Sequence, residues 1–405
     1  ATGEVILSAT DLESTGFGQP WGHTRTYVHS LSRPISMGNG WNWQVREWPY
    51  AVANGSTVTI MGEMQNVLWF DLVGANYVPR FNVRDAFQLD TARQQYVWTQ
   101  LDGTVTRFAA NSGAFVSRTE VGGTTLSVVG TALNGVNVGE VRRSVTSGGV
   151  TTVESFLYTY GNAGGAIPTL TTVLLRRSTN NGTSWQNVAQ ATYTYYDGTT
   201  SFGLAGDLQT VTTANWTGSA WASTGTTLYR YYVPTEFLSS SSSSSSSSGL
   251  SPPPPPPSPL PIPPHLLQYV VLPASYVQLA AVANPLTTNN ATVAVYADYS
   301  YTYNANNRVI GETVKQGSQS YGFTTTTSSN ANGYNSWTTK TTETLPDGNR
   351  NIVYANYAGQ TMLKVFQQVS ASYCTPCSAS CWRYCSTRRP STARRSSASK
   401  LPPIM

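Results

Sequence analysis

Residues 180–196 read NNGTSWQNVAQATYTYY, and residues 215–232 read NWTGSAWASTGTTLYRYY. The two stretches share a glycine, a tryptophan and three tyrosines, each separated from its match by 36 positions. The matched pairs are Gly182 and Gly218, Trp185 and Trp221, Tyr193 and Tyr229, Tyr195 and Tyr231, and Tyr196 and Tyr232. A weaker copy lies upstream, where Tyr158-Thr159-Tyr160 begins 35 residues before Tyr193. A fixed period of this length indicates a repeat architecture, and we predict that its unit is a β-hairpin with an aromatic-rich second strand.

Strand patterns continue on both sides of these repeats. Short runs such as residues 57–60 and 104–108 alternate in polarity between glycine, asparagine, aspartate or serine residues, which is typical of strands and turns. The best candidate for a helix, residues 85–100, reads equally well as strand. Charged residues make up only 11% of the chain, against ~25% in ordinary soluble domains. Together these features predict an all-β fold.

Ten serines and a proline block, SSSSSSSSSSGLSPPPPPPSPLPIPP, occupy residues 239–264. Such composition is typical of a linker between domains. The 36-residue period favours another interpretation, because two further steps from Tyr229 lead through His265 to Tyr301. We therefore predict that residues 233–268 replace one repeat in place, within a single β array, by two compensating frameshifts. A long surface loop is the alternative.

Several motifs resemble those of RHS/YD-repeat proteins. Residues 303–309, YNANNRV, are similar to the family's Tyr-Asp-x-x-Gly-Arg-Leu repeat. Asn307 stands at the glycine position, where asparagine also accepts a left-handed backbone. Residues 2–27 and the MGNGWNW motif at 37–43 resemble the N-terminal region of these proteins. Two stretches, LDGTVTRF (101–108) and NSGAFVSR (111–118), resemble the hairpins that follow this region in the family. A third, LPDGNRNIVYANYAGQTML (345–363), resembles a further repeat.

The resemblance implies a long antiparallel sheet, a repeat meander that curls spirally into a hollow β-shell, here incomplete. Known members of the family are large secreted or surface proteins, some of which enclose a C-terminal toxin while others act in adhesion. We therefore expect an extracellular or cell-surface chain that is the N-terminal part of something longer. The expected domains are an N-terminal RHS-like region (1–140), β-repeats (141–238), the Ser/Pro low-complexity interruption (239–264), YD-type β-repeats (265–370), and a Cys/Arg/Ser-rich tail, disordered or out of frame (371–405).

Composition argues against two classes of partner. The net charge is +5, but six basic residues lie in the last 23 positions and the rest of the chain is close to neutral, so the body offers no basic face for nucleic acid. Residues 266–286 are uncharged and about long enough to span a membrane, but proline and glutamine interrupt them, so no span is expected. All cysteines lie in the tail, with a spacing that fits no standard zinc or iron–sulfur site: Cys374, Cys377, Cys381 and Cys385.

No catalytic residue, cofactor or metal site is predicted. One set of candidates lacks the spacing of metal ligands or of an acid–base pair: Asp11, Glu13, His23 and His29. A second set lacks the strand–loop–helix order of a phosphate loop: Gly16, Gly18 and Gly22. The G-x-S-x-G motif of nucleophilic hydrolases is also absent from the sequence.

The repeated aromatic residues suggest one binding hypothesis, a strip on which sugars stack: Trp185, Trp221, Tyr193, Tyr195, Tyr229 and Tyr231. We favour cross-strand packing instead, because aromatic residues at a period of two are normal sheet stabilisers. The sequence therefore predicts a non-enzymatic structural or encapsulating segment, with adhesion as one form of that role. The alternatives are a carbohydrate-binding module on the same sheet, with glycans as partners, and the shell of a polymorphic toxin whose C-terminal effector domain lies beyond residue 405.

Overall fold

The computed structural model describes residues 3–16, 20–29, 38–62, 67–131, 137–161, 168–233, 265–329, 335–357 and 359–369. Within these residues the fold is all-β, as predicted, with two short helices. The chain divides into two compact units, a larger one at Glu4–Gln319 and a smaller one that contains Ser320 and the residues after it. The two described helices are too short to cross a membrane.

The larger unit begins with two small antiparallel sheets. The first contains β1 (Ile6–Ser14), β2 (Trp21–Val28) and β3 (Trp43–Val45) in that order. The second contains β4 (Tyr50–Asn54), β5 (Thr57–Met61), β6 (Val67–Val73) and β7 (Asn76–Pro79). One apolar cluster joins the second sheet to the strands that follow it: Ala51, Val58, Ile60, Phe70, Phe87, Tyr96 and Phe108.

The rest of the larger unit is a long antiparallel sheet in which each strand pairs with the next one along the chain. Its strands are β8 (Ala86–Asp90), β9 (Gln95–Thr99), β10 (Val105–Ala109), β11 (Phe115–Thr119), β12 (Thr125–Thr131), β13 (Val138–Ser147), β14 (Val150–Gly161), β15 (Thr169–Ser178), β16 (Gln186–Tyr195), β17 (Leu208–Trp216), β18 (Trp221–Tyr231), β19 (Leu267–Val271), β20 (Tyr299–Tyr303) and β21 (Val309–Val314). Between β19 and β20 lie the helices α1 (Pro273–Ala280) and α2 (Asn290–Tyr296).

The smaller unit is also an antiparallel meander. Its strands are β22 (Gln319–Thr327), β23 (Thr339–Thr344), β24 (Arg350–Ala355) and β25 (Thr361–Gln367). Each of them pairs with its neighbour in sequence. A tight turn at residues 345–349 joins β23 to β24, so a short connection generates a meander here as in the larger unit.

Several residues with a left-handed backbone lie in the turns between strands. Asn307, at the position where the related repeat has glycine, has a φ of 58° between β20 and β21, as its place in the motif predicts. Asn181 and Gly182 have φ values of 56° and 83° between β15 and β16. Residues 85–100, the ambiguous segment, form β8 and β9, with Gln94 at a φ of 53° in the turn.

The long sheet curls around the first sheet. Every residue of β2 is buried, because the inner face of the long sheet covers it. Arg25 and Tyr27 of β2 hydrogen-bond to Tyr229 and to the backbone oxygen of His265, 204 and 238 residues later in the chain. The core of the larger unit therefore lies where β2 meets the repeated strands.

The Ser/Pro stretch lies in the connection between β18 and β19, and these two strands pair directly. One strand separates β18 from β20, just as one strand separates β16 from β18. The chain from Tyr229 to Tyr301 thus spans two sequence periods but only one structural repeat, and the expectation that residues 233–268 replace a repeat stays a prediction. Counting residues does not distinguish a strand from a connection. The run at 239–264 and the tail at 371–405 lie outside the described residues.

The segment after β19 differs from the expected strands. It lies in the region predicted as YD-type β-repeats (265–370), but Pro273–Ala280 form α1. Pro273 occupies the first turn of α1, where its fixed φ suits a helix and its missing N–H group is no loss. Leu279 of α1 and Val293 of α2 pack with Leu228 in one buried cluster. Packing on the sheet therefore determines these helices, which lack a clear helical period in the sequence.

Candidate functional site: the polar interior beneath the first sheet

A buried ion pair lies where the first sheet meets the long sheet. Arg25 donates to Asp11 through Nε at 2.5 Å and through Nη2 at 2.9 Å, and the two side chains are 1% and 5% exposed. Asp11 reaches Arg25 because β1 has a bulge between Thr10 and Leu12, and the extra residue of a bulge redirects a side chain. Burial acts to lower the pKa of Arg25, but Asp11 outweighs it and raises the pKa well above its usual value.

Two tyrosines of the sequence repeat complete this ion pair. The hydroxyl of Tyr193 donates to Asp11 Oδ2 at 2.8 Å, and Arg25 Nη2 donates to the hydroxyl of Tyr229 at 3.2 Å. The guanidinium carbon also lies 4.6 Å from the ring centroid of Trp43, a cation–π arrangement. The repeated strands therefore hold the first sheet through charged and aromatic contacts that water cannot reach.

His23 projects from β2 into the same interior. It is fully buried, and neither of its ring nitrogens has a hydrogen-bond partner in the described part of the chain. The rings of Tyr158, Tyr193 and Trp48 surround it, with centroids 5.6, 5.9 and 6.2 Å away. Burial lowers the pKa of this imidazole to about 4, because a buried cation without a partner is strongly disfavoured.

His23 is expected to make the fold sensitive to acid. The imidazole of His23 has a pKa of about 4 in the folded protein and about 6.5 in the unfolded chain. Between these two pH values the unfolded chain binds more protons than the folded protein, so the folded state loses stability as the pH falls. Through this group, the free energy of unfolding should drop by about 2 kcal/mol between about pH 7.5 and pH 5.

Urea denaturation of the wild type and of His23→Gln at both pH values measures this contribution. The buried carboxyls of Glu47 and Asp207, whose pKa values burial raises, act in the opposite direction but remain in both proteins, so the difference isolates His23. An identical pH dependence in the two proteins would contradict the prediction.

The residues rejected as a metal or acid–base site have separate roles in the structure. His29 accepts a hydrogen bond from the Val5 N–H group at 3.1 Å through Nδ1, and its Nε2 lies 2.7 Å from the backbone oxygen of Asn307. Glu13 is exposed, whereas Asp11 belongs to the buried ion pair. Among the described residues no cluster of three or more His, Cys, Asp or Glu side chains suits a metal ion.

The Tyr-x-Tyr motif ends β14, β16, β18 and β20 and gives the repeat its physical basis. The first tyrosine of each motif is at most 4% exposed: Tyr158, Tyr193, Tyr229 and Tyr301. The second tyrosine in β14, β16 and β20 donates its hydroxyl to a backbone oxygen near the start of the preceding strand. These bonds join Tyr160 to Val138 at 3.0 Å, Tyr195 to Leu170 at 2.7 Å, and Tyr303 to Leu267 at 2.8 Å. In β18, Tyr231 instead accepts from Trp43 Nε1 at 3.0 Å.

Removing one of these hydroxyls should cost a measurable part of the stability. We expect Tyr160→Phe to lower the free energy of unfolding by about 1 kcal/mol, because Val138 loses its hydrogen-bond donor. Tyr158→Phe is the matched control in the same motif. The Tyr158 hydroxyl is buried and has no partner among the described residues, so its removal should be neutral or slightly stabilising. Urea denaturation measures both variants, and equal losses would contradict this account of the motif.

The six aromatic residues considered as a sugar-stacking strip do not share one surface. Four of them are largely enclosed within the sheet: Tyr193, Tyr195, Tyr229 and Tyr231. Trp185 is half-buried, and the guanidinium carbons of Arg176 and Arg142 lie 4.2 and 5.1 Å from its ring centroid. Trp221 is half-buried at the β17–β18 turn, where it packs edge-to-face on Trp216 at 5.0 Å. Packing and hydrogen bonding within the sheet account for the tyrosines, and sugar stacking at Trp185 and Trp221 stays a prediction.

Two further buried contacts escape prediction from the sequence. Glu154, fully buried, accepts hydrogen bonds from Ser14 of the first sheet at 2.5 Å and from Arg143 at 2.9 Å. Asp207 and His265 Nδ1 lie 2.8 Å apart. The partners are 140 and 58 residues apart for Ser14–Glu154 and Asp207–His265, so no local pattern joins them. For Arg143 and Glu154, the available signal is a charged residue inside a strand of a weakly charged body.

Comparison with known proteins finds similarity only among solved structures. No protein-family model matches the chain, and no curated protein matches it. The structure of the Photorhabdus luminescens Tc holotoxin pore aligns with 90% of this chain and 21% of its own, at 9% identity and a TM-score of 0.35. The structure of TcdB2-TccC3 without its hypervariable C-terminal region aligns with 89% of this chain and 20% of its own, at 10% identity and a TM-score of 0.21. The chain therefore spans about a fifth of the length of the chains that it matches.

Proposed function

We propose that this chain is a non-enzymatic structural segment of a secreted or surface β-shell, in which the first sheet fills the space enclosed by the repeated strands. The observation that carries the proposal is the burial of β2 along its whole length. A strand buried on both faces is unusual in an antiparallel meander, where one face commonly meets water. Here the curl of the long sheet covers it.

The chemistry of the interior supports a structural role. The Arg25–Asp11 pair is held by Tyr193 and Tyr229, and Glu154 is held by Ser14 and Arg143. These charges neutralise one another at short distances, which fixes the position of the first sheet. A catalytic group, in contrast, must reach a substrate within hydrogen-bond distance. Enclosure, presentation or adhesion is the work that such a rigid sheet can do.

Within this proposal, the partner of the shell is a C-terminal effector encoded beyond residue 405. The coding DNA, read in all three frames through this region, shows whether such a segment exists. If it does, the full-length product should protect that segment from trypsin, while the segment expressed alone is digested quickly. A full-length product whose downstream segment is digested as fast as the isolated one would overturn the role as an enclosure.

Carbohydrate binding is the second candidate, supported by the half-buried Trp216–Trp221 pair at a hairpin turn. Aromatic faces bind the apolar faces of sugars, and two neighbouring indoles offer such a surface. A glycan array probed with the wild type and with Trp221→Ala tests this role, with Trp185→Ala as the second variant. Binding that both variants retain, or no binding by the wild type, would remove this candidate.

A further inference from the structure

We propose that a polar cavity beside the β1–β2 hairpin binds a single neutral sugar ring. The cavity has a volume of about 260 Å³ and lies between the first sheet, the segment after β3 and the end of β11. Its walls are mostly polar or charged and include Glu13, Thr24, Arg46, Glu47, Arg118 and Glu120. This inference depends neither on the shell role nor on the Trp216–Trp221 pair.

Glu47 is a rigidly held acceptor in this wall. It is 6% exposed, and its Oε2 atom accepts the Thr24 N–H group at 2.8 Å while Oε1 accepts Arg46 Nη2 at 3.2 Å. Arg46 Nη2 also donates to Thr24 Oγ1 at 3.2 Å. Each carboxylate oxygen can accept more than one hydrogen bond, so Glu47 keeps acceptor capacity for a ligand hydroxyl.

Donors complete the wall. Arg118 Nε lies 2.7 Å from Glu120 Oε1, and this ion pair leaves the other guanidinium nitrogens of Arg118 for a ligand. Arg46, whose side chain is 52% exposed, supplies further donors at the same cavity.

The balance of groups indicates the class of ligand. Three glutamates and two arginines line the cavity. The carboxylates would therefore repel an anion, and the guanidiniums would repel a cation. A sugar hydroxyl both donates and accepts and therefore suits a wall of alternating donors and acceptors. Ligand sites of drug-sized molecules measure roughly 300–1,000 Å³, so this smaller cavity fits one ring better than an oligosaccharide.

Saturation-transfer NMR with millimolar glucose, galactose, mannose and N-acetylglucosamine tests the proposal on the whole chain. At least one sugar should receive saturation, and Glu47→Gln should weaken its binding about tenfold, because a charged acceptor is lost. Arg118→Met keeps most of the apolar part of the side chain but removes the guanidinium donors, and it should weaken binding about two- to tenfold. Glu343→Gln, a carboxylate removed far along the chain in the smaller unit, is the matched control and should bind like the wild type.

Thermal melts followed by circular dichroism establish that each variant is folded. If Glu47→Gln fails to fold, Glu120→Gln at the same cavity takes its place, with the same expected direction. The proposal is overturned if none of the four sugars receives saturation. It is also overturned if binding survives in the cavity variants and disappears in Trp221→Ala, since the sugar would then lie on the tryptophan pair.

Discussion

Replacement of Arg25 by methionine is expected to lower the free energy of unfolding by about 3–5 kcal/mol. The substitution keeps most of the apolar volume but leaves the carboxylate of Asp11, 5% exposed, buried without its cation. Breaking a buried ion pair by removing one partner carries a penalty of about this size. Equilibrium urea denaturation followed by tryptophan fluorescence measures the loss.

A matched variant separates burial from charge. Arg80 forms a bidentate pair with Asp71, but Arg80 is exposed and Asp71 only half-buried, with side chains 42% and 34% exposed. Arg80→Met should therefore cost no more than about 1 kcal/mol. The double variant Asp11→Asn with Arg25→Met should recover part of the loss, because no buried charge remains. Equal losses for Arg25→Met and Arg80→Met would show that the interior pair does not hold the first sheet.

Gly113→Ala is expected to destabilise the larger unit by about 2–5 kcal/mol. Gly113 has a φ of 71° in the turn between β10 and β11, and a β-carbon there would collide with the backbone oxygen of Ala51. The left-handed conformation costs a residue with a side chain roughly 1–2 kcal/mol, and overpacking adds about 1–3 kcal/mol. The Ala51 N–H group donates to Gly113 O at 2.8 Å, so relief of the collision breaks the contact between β4 and this turn.

Gly103→Ala is the control that measures the cost of the left-handed backbone without a steric collision. Gly103 has a φ of 90° in the turn before β10, and the nearest atom to its added β-carbon is 4.0 Å away on Val121. Its loss should be limited to roughly 1–2 kcal/mol. Urea midpoints of the two variants report the difference, and a Gly113→Ala loss as small as that of Gly103→Ala would exclude the steric contribution.

The local parts of this fold are predictable from the sequence. The 36-residue spacing of Tyr193 and Tyr229 identifies β16 and β18, and the turn residues Asn181 and Asn307 mark hairpins, because these signals act between neighbours in the chain. The helices α1 and α2 are not predictable in this way. Their few buried side chains pack on Leu228, which precedes them by more than one element.

The interior site is the least predictable part. Asp11 and Arg25 lie on strands that pair directly, but their side chains form an ion pair because β1 has a bulge at Asp11. Tyr193 joins them from 182 residues away and Tyr229 from 204 residues away. Partners at such separations follow from the curl of a whole sheet, which a strand pattern does not determine. The sequence therefore identifies the tyrosines as repeated residues, but it does not show that they hydrogen-bond to a buried ion pair.

The direct pairing of β18 with β19 has a consequence for how this chain can change in length. Tyr232 N donates to Leu266 O at 2.9 Å, so the described residues before and after the Ser/Pro stretch are held at the same sheet. The entropy of closing such a loop grows only with the logarithm of its length, about 0.6 kcal/mol for each doubling. The connection can therefore lengthen, shorten or receive a foreign domain at little cost to folding, and it is the natural site for grafting an inserted module into this protein.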